Sequence, residues 1–216
     1  MKILVVGASG ATGRLVSAEL TTRGHEVTVF VRRPEVGAEL GDRVRVAVGD
    51  VLEPADVDRA MEGQEAVVVT LGIRENPLLV RLRGSAGTAL DLRSAGTRNV
   101  IEAMRRHGVE RLVVQTTHGV GTTRADLSLT WKLLFRLLLQ PQIEDTERQE
   151  ELVRESGLSW VLVRPVSLTD GPRQPVLVSP AGRTRSMNVS RASVAEVLAE
   201  ATQQPESVGQ ALSVSA

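Results

Sequence analysis

Three glycines near the amino terminus have the spacing of a phosphate-binding loop. Gly7, Gly10 and Gly13 follow an apolar run that predicts a strand, and they open a segment with helical periodicity. In a turn from strand to helix, glycines let backbone N–H groups approach a diphosphate, with the positive end of the helix dipole behind them. Gly7 would allow the tight turn, Gly10 would leave room for phosphate, and Gly13 would let helix and strand pack closely. The spacing predicts a dinucleotide site, because a plain structural turn has no need of three glycines at these positions.

The end of the second predicted strand indicates which dinucleotide is bound. An NAD site usually has Asp or Glu about 20 residues past the loop, where it binds the ribose hydroxyls, whereas a basic residue suits the 2′-phosphate of NADP. This sequence has Arg32 and Arg33 there, followed by Pro34. Guanidinium groups can pair with a phosphate in fork geometry. We therefore predict NADP(H) as the cofactor; the alternative is that both arginines are ordinary solvated residues of an arginine-rich chain.

The composition excludes several kinds of chemistry. Cysteine and tyrosine are both absent from the 216 residues, so thiolate metal sites, thiol nucleophiles, disulfides and phenolic general acids are all excluded. No cluster of His, Asp and Glu has metal-ligand spacing, and we predict no metal. The 26 basic and 26 acidic residues cancel, so no nucleic acid or membrane partner is expected. No run approaches the roughly 20 apolar residues of a membrane span, and no charged leader precedes the first strand, which together predict a cytoplasmic protein.

Short apolar runs alternate with helical patterns along most of the chain, and this alternation predicts a parallel sheet with crossover helices. The predicted strands are 3–6, 27–31, 44–48, 66–70, 112–116 and 160–163. Pro54 and Gly63 mark the start and the end of one predicted helix. Gly108 ends a second predicted helix, and Ser193 with Glu196 has capping-box spacing near the start of a third. The fold class is therefore predicted to be α/β, a doubly wound parallel sheet of the Rossmann type.

The predicted organisation is a single NAD(P)-binding domain over 1–216 with small substrate-side elements. These elements are expected at about 72–87, 117–140 and 165–190, of which the first could be a loop over a site. The apolar segment 131–139 is too short to span a bilayer, so we interpret it as a buried or lid helix or an oligomer contact. A monomer and a homodimer are both compatible with the sequence.

Motifs along nearly the whole chain resemble the atypical short-chain dehydrogenase/reductases. They are the glycine loop at 7–13, Arg-Arg-Pro at 32–34, Gly-Asp-Val at 49–51, and the segments 96–100, 156–160 and 164–165. Within that family the sequence is similar to the NAD(P)H-binding, flavin reductase-like (biliverdin reductase B-like) group and, more distantly, to NmrA-like proteins. These motifs are specific for fold and cofactor, and they say little about the substrate.

The resemblance implies which residues contact the cofactor, all of them close to carboxyl ends of strands, where open α/β sheets bind ligands. It implies Ser9, Gly10, Ala11 and Thr12 at the pyrophosphate, Arg32 and Arg33 at the 2′-phosphate, Asp50 and Val51 at the adenine, and Leu71, Gly72, Thr116, Thr117, Pro165 and Val166 on the nicotinamide side.

The resemblance also shows a departure at the catalytic positions. The usual members use Tyr-x-x-x-Lys to exchange a proton with the substrate, and that register falls on Gln142 and Thr146, neither of which titrates. The standard alcohol/ketone mechanism is therefore excluded. The candidate catalytic residues are Thr117, whose hydroxyl could orient the nicotinamide amide or the substrate, and His118, whose imidazole could supply a proton near neutral pH. The structural alternatives are that Thr117 caps the following loop and that His118 hydrogen-bonds it.

These features favour an NADPH-dependent reductase that transfers a hydride to a small conjugated acceptor such as a flavin, quinone or enone. The acceptor would bind between the segments 72–87 and 117–140. One alternative is an NADP(H)-sensing regulator or scaffold that binds the dinucleotide without turnover. A third possibility is an isomerase or epimerase that returns the hydride to its substrate.

Overall fold

A computed structural model describes residues 1–38, 41, 43–72, 89–121 and 140–216. The strands in these ranges are β1 (Lys2–Val6), β2 (Glu26–Val31), β3 (Val44–Val48), β4 (Ala66–Val69), β5 (Arg111–Gln115), β6 (Ser159–Pro165), β7 (Ser167–Thr169), β8 (Leu177–Ser179), β9 (Asn188–Ser190) and β10 (Gln210–Ser215). The α-helices are α1 (Ala11–Thr22), α2 (Pro34–Ala38), α3 (Pro54–Met61), α4 (Leu92–His107), α5 (Gln140–Arg154) and α6 (Arg191–Ala201).

Eight strands form one sheet in the order β3-β2-β1-β4-β5-β6-β10-β8. Every neighbouring pair is parallel except β10 with β8. The chain fills the sheet from β1 outward to β3 and then restarts on the other side of β1 with β4, so the topological switch point lies between β1 and β4. Strands β7 and β9 form a separate parallel pair. The predicted doubly wound α/β fold is confirmed.

The two faces of the sheet carry separate cores because successive strand side chains point to opposite sides. Val5 and Val68 lie on the face covered by α1 and α6, where they pack with Leu20 and Leu198. Leu4, Val67 and their counterparts on β5 lie on the other face, packed against α3 and α4. Burial on both faces explains why the central strands are near-continuous apolar runs.

All six predicted strands are confirmed to within two residues at each end, whereas strands β7 to β10 are not predicted. The capping box predicted at Ser193 is wrong. Helix α6 begins at Arg191, and its N-cap is Ser190, whose hydroxyl accepts from the backbone N–H of Ser193 at 3.2 Å. The Ser193 hydroxyl instead donates to the backbone carbonyl of Gln174 at 2.9 Å, so it anchors a neighbouring loop.

The predicted substrate-side elements are only partly described. The stretches 73–88 and 122–139 lie outside the described residues, as does the apolar segment 131–139. The third predicted element, 165–190, contains β7, β8 and β9. Across the ranges that are described, no helix has both the length and the apolar character needed to cross a bilayer.

Candidate cofactor site

The turn from β1 into α1 has the geometry that its glycines predict. Gly7 has φ of +87°, and its carbonyl accepts from the backbone N–H of Gly10 at 3.0 Å. A Cβ on Gly7 would lie 2.7 Å from the carbonyl oxygen of Thr70 on the neighbouring strand, so only glycine fits this turn. Gly10 is the N-cap of α1 and provides no side-chain cap, which leaves the first amides of the helix without a capping side chain. Such a helix end favours an anion.

A cavity of about 550 Å³ opens above this loop, at the carboxyl edge of the sheet and across the switch point. Its size and position are those of a ligand site in an open α/β sheet. The wall is formed by Val6, Gly7, Ser9, Gly10, Ala11, Thr12, Phe30, Val31, Arg32, Gly49, Asp50, Val51, Thr70, Leu71, Gly72, Leu92, Arg93, Gln115, Thr116, Leu168 and Arg191.

The end of the cavity beside β2 and β3 is shaped by the turn that contains Asp50. The Asp50 backbone N–H donates to Oδ2 of Asp56 at 2.9 Å, and Oδ1 of Asp50 accepts from the backbone of Leu52 at 2.9 Å. The bond from Asp50 and the adjacent Arg59 guanidinium hold the pKa of Asp56 below its usual value, against the opposing effect of desolvation. Nδ2 of Asn99 donates to the backbone carbonyl of Val51 at 2.9 Å, which fixes the next residue of the same turn.

Near the switch point, the half-buried Arg93 lies on the cavity wall at the start of α4. Its Nε donates to the backbone carbonyl of Leu71 at 3.2 Å. The carboxylate of Asp145, which comes from α5, accepts from the backbone N–H groups of Arg93 and Ser94 at 3.0 and 3.1 Å. Burial lowers the pKa of the Arg93 guanidinium, and the charge of Asp145 opposes that shift. Asp145 therefore holds the first turn of α4 where Arg93 reaches the cavity.

At the β5 end, a buried ion pair lies behind Thr116. The Thr116 hydroxyl donates to Oε1 of Glu150 at 2.8 Å, and Nε of Arg164 donates to the same oxygen at 2.8 Å. Nη2 of Arg164 contacts the second carboxylate oxygen, which completes a bidentate pair between two side chains that are 2% and 4% exposed. Because its proton is directed at Glu150, Thr116 offers only lone pairs to a ligand in the cavity.

Gln115 lies on the wall at the same end of the cavity. Its side-chain oxygen, Oε1, is buried and has no hydrogen-bond partner in the part of the chain that the structure describes. Buried polar atoms in folded proteins are almost always paired, so rotation of this amide toward a polar ligand group in the cavity would give the oxygen a partner. A nicotinamide dinucleotide carries such a group in its carboxamide.

The structure brings most of the predicted cofactor residues together on one wall. Eleven positions lie there: Gly7, Ser9, Gly10, Ala11, Thr12, Arg32, Asp50, Val51, Leu71, Gly72 and Thr116. Gly13 lies beneath the loop, and a Cβ there would stand 2.2 Å from the carbonyl oxygen of Gly7. Arg33 is exposed beside the wall, next to Arg32, without lining it.

The other predicted residues lie behind the wall. Pro165 and Val166 are buried at the end of β6, where the Val166 N–H donates to the carbonyl of Val214 at 3.1 Å. Thr117 is half-buried and its hydroxyl donates to the carbonyl of His118 at 3.4 Å. His118 is 5% exposed, with Nδ1 3.2 Å from the hydroxyl of Ser213 on β10. The predicted chemical roles of Thr117 and His118 stay predictions.

Several wall residues were not among the predicted site residues. Those that come from parts of the chain distant from the predicted motifs include Arg93, Gln115, Leu168 and Arg191. Gln115 could have been found, because it is a polar residue at the carboxyl end of a predicted apolar strand, next to Thr116. Arg191 could not be recognised, because the capping-box spacing at Ser193 predicts a start of α6 later than Arg191. No local pattern marks Arg93 or Leu168.

Comparison with known proteins agrees with this geometry. A family model described as NAD(P)H-binding matches residues 7–205. The chain is 32% identical over 168 residues to the (4-alkanoyl-5-oxo-2,5-dihydrofuran-3-yl)methyl phosphate reductase of Streptomyces griseus, a match that covers 76% of this chain and 46% of the relative. It is 35% identical over 122 residues to the 2-alkyl-3-oxoalkanoate reductase of Stenotrophomonas maltophilia, covering 56% of this chain and 34% of the relative.

The chain thus spans less than half the length of either of these two reductases. Among solved structures, a short-chain dehydrogenase/reductase from Veillonella parvula in complex with NADP superposes with a TM-score of 0.80. That superposition covers 100% of this chain and 94% of the other at 18% identity, a likeness of fold.

Proposed function

Because the chain belongs to the NAD(P)H-binding family, we propose that it is an NADPH-dependent reductase that transfers a hydride to a small conjugated acceptor, of the flavin, quinone or enone type. The observation that carries the proposal is the cavity at the switch point, with an uncapped helix N-terminus at its floor and Arg32 at one end. The two reductases whose names are given above support the reaction class, since both names describe reduction of small carbonyl compounds.

The residues present fit a nicotinamide dinucleotide. Ser9, Gly10, Ala11 and Thr12 surround the open amides of α1, and an added Cβ at Gly10 would meet only the Gly7 carbonyl, at 3.3 Å. The loop therefore has room for a phosphate. At the opposite end of the wall, the Gln115 side chain, whose Oε1 is unpaired, has the donor and acceptor groups that a carboxamide needs. When bound, the cofactor supplies the hydride, and the chain's own residues do the positioning.

NADP(H), rather than NAD(H), is the proposed cofactor. Arg32 lines the cavity at the carboxyl end of β2, Arg33 is exposed beside it, and the strand end carries no acidic residue in the position that would bind ribose hydroxyls. Asp50 and Val51, held by Asp56 and Asn99, would contact the adenine. Two adjacent guanidinium groups favour a phosphorylated ribose by charge-assisted hydrogen bonds.

The acceptor would bind near Thr116 and Leu168, at the β5 and β6 end of the wall. Thr116 would accept a hydrogen bond from a ligand in the cavity, because its hydroxyl already donates to Glu150. The positions of the usual Tyr/Lys pair are Gln142 and Thr146, and the Thr146 hydroxyl donates to the Gln142 carbonyl at 2.7 Å. We therefore propose that the protein works by positioning, with the proton taken from water or from a weak acid.

Thr117 and His118 remain the proposed candidates for a chemical role, Thr117 in orienting the nicotinamide amide or the acceptor and His118 as a proton donor. His118 is the sharper test, because its imidazole is buried against Ser213. A His118→Ala variant with the turnover and pH–rate profile of the wild type would remove the imidazole from the mechanism. A flattened acidic or basic limb of that profile would support it.

The experiment that tests the reductase proposal follows NADPH absorbance with a panel of flavins, quinones and enones. Steady oxidation above the rate without protein, lost in a Gly10→Ala variant that still folds, is the expected result. Tight NADPH binding with no oxidation across the panel contradicts the reductase and supports a regulator that binds NADP(H) without turnover. That second function is favoured by the absence of tyrosine from the chain. Net oxidation of NADPH would also exclude an isomerase, which regenerates its cofactor.

A further inference from the structure

The described part of the cavity wall is positively charged beyond what the proposed cofactor requires. Among the residues that the structure describes there, it carries the guanidinium groups of Arg32, Arg93 and Arg191 and the carboxylate of Asp50. Arg32 lies at the end assigned to the 2′-phosphate, and Arg191 is paired with Asp170 at 2.6 Å. Arg93 has no ion-pair partner within the described ranges of the chain, and its one hydrogen bond from the side chain goes to the carbonyl of Leu71.

The Arg93 guanidinium lies beside Leu71 and Gly72 on the wall. The bond from Nε to Leu71 fixes the guanidinium, and Nη2 would lie 3.6 Å from a Cβ added at Gly72. Leu71 and Gly72 are the residues that the resemblance implies on the nicotinamide side. The charge of Asp145 acts on this guanidinium, but the carboxylate oxygens of Asp145 accept from the backbone N–H groups of Arg93 and Ser94.

Burying a cation is unfavourable unless a partner charge repays the desolvation, and Asp145 acts on the Arg93 guanidinium by its charge alone, without an ion pair among the described residues. The lowered pKa of Arg93 reflects the same burial. The diphosphate has the amides of α1, and the 2′-phosphate has Arg32 with Arg33 beside it. The cofactor's phosphates therefore leave Arg93 without an assigned anion.

We propose that Arg93 is a specificity-determining residue that binds an anionic group of the acceptor, a carboxylate or a phosphate ester, and selects charged acceptors over neutral ones. The inference rests on the proposed reductase function and names its substrate class. Nη1 and Nη2 present two donors in one plane, which matches two oxygens of either anion in a bidentate contact.

The test measures binding to the NADP⁺ complex, so that it does not depend on turnover. Two pairs of ligands are compared, and within each pair the two members have the same conjugated ring and differ in charge. FMN and riboflavin test the phosphate ester, and anthraquinone-2-carboxylate and its methyl ester test the carboxylate. Dissociation constants are measured by fluorescence for wild type, Arg93→Gln, Arg93→Lys and Arg98→Gln. Arg98 is an exposed arginine on the same helix that does not line the cavity, so its variant matches the change in net charge.

Wild type is expected to bind the charged member of at least one pair about 10- to 100-fold more tightly than the neutral member. Arg93→Gln should remove this preference and leave the NADPH dissociation constant unchanged, Arg93→Lys should keep part of it, and Arg98→Gln should keep all of it. The pair that shows the preference identifies the anion. If NADPH binds but no acceptor oxidises it, the reductase proposal is contradicted. The binding preference for charged ligands can still be measured in that case, so the two proposals fail separately.

Three results overturn the inference. The first is the lack of a preference for the charged member of either pair in the wild type, including the case in which neither member binds. The second is a ligand preference that stays intact in Arg93→Gln; a loss of NADPH affinity in the same variant would then assign the guanidinium to the cofactor. The third is an equal loss of preference in Arg98→Gln, which would make the effect one of overall charge.

Discussion

Gly13 and Gly7 are packed so closely that a Cβ on Gly13 would stand 2.2 Å from the carbonyl oxygen of Gly7 and 2.8 Å from Cα of Ala8. The first turn of α1 therefore rests directly on the backbone at the end of β1. This contact places the open amides of the helix at the floor of the cavity, since the helix cannot shift without moving them. The same contact couples the stability of the fold to the geometry of the phosphate loop.

A Gly13→Ala substitution is expected to lower the free energy of unfolding by on the order of 3 kcal/mol and to abolish NADPH binding, because the methyl group forces α1 away from β1. Urea denaturation and a fluorescence titration with NADPH measure the two effects. Gly10→Ala is the comparison variant: its Cβ meets only the Gly7 carbonyl, at 3.3 Å, so the loss of stability should be smaller than in Gly13→Ala while binding is still lost. Wild-type stability in Gly13→Ala would contradict the packing described here.

The strands that could be predicted are those buried on both faces. Largely apolar runs such as Val27–Val31 in β2, bounded by turn signals and separated by helical patterns, are typical of parallel strands covered on both faces. Strand β10 was missed because Ser213 and Ser215 interrupt its apolar pattern. Both serines are buried and hydrogen-bonded, Ser215 to the backbone N–H of Arg185 at 2.9 Å, a contact that no local pattern indicates.

The candidate site likewise contains residues that the sequence could predict and residues that it could not. The glycine loop and the strand ends carry local motifs, so Gly10, Arg32 and Asp50 could be placed from the sequence. Arg93 could not, because its place on the wall depends on contacts with Leu71 and with Asp145, which lies 52 residues along the chain. His118 was predicted at the mouth of the site, yet its backbone N–H donates to the Pro165 carbonyl at 2.8 Å, and its ring turns toward β10.

Asp145 is expected to stabilise the start of α4 from outside that helix. Its carboxylate accepts two backbone N–H bonds at the first turn, so Asp145→Ala should lower the free energy of unfolding by about 1–2 kcal/mol, as the loss of a helix cap does. Asp91, at the N-cap position itself, makes no side-chain cap bond and is exposed. Asp91→Ala is therefore the control, and it should match the wild type in urea denaturation. Equal stability of Asp145→Ala and wild type would refute the role of Asp145.

The buried pair of Glu150 and Arg164 should be sensitive to the loss of either partner alone. Glu150→Gln removes the carboxylate from an arginine that is 2% exposed, and the expected loss is about 3–5 kcal/mol in the free energy of unfolding. A double variant, Glu150→Gln with Arg164→Met, should recover part of this loss because no buried charge is left. Chemical denaturation of both variants checks the prediction, which fails if the double variant is less stable than Glu150→Gln.

His25 is expected to make the fold sensitive to mild acid. Burial, followed by the charges of the amino terminus and Arg23, lowers its pKa below the ordinary 6.5, and its Nε2 has no partner among the described residues. The folded state therefore favours the neutral ring, so this contribution to stability is complete above pH 6.5 and is lost as the pH falls through the folded pKa. As the pH is lowered below 6.5, the free energy of unfolding should fall more steeply in the wild type than in His25→Gln. Parallel curves would show that His25 does not titrate on unfolding.

The most direct test of the account is calorimetric titration of the wild type and of an Arg32→Gln variant with NADPH and with NADH. The expected result is that the wild type binds NADPH at least about tenfold more tightly than NADH, and that Arg32→Gln loses most of this preference while it still binds NADH. Equal affinity of the wild type for both nucleotides would contradict the assignment of Arg32, and the lack of binding to either would contradict the cofactor site itself.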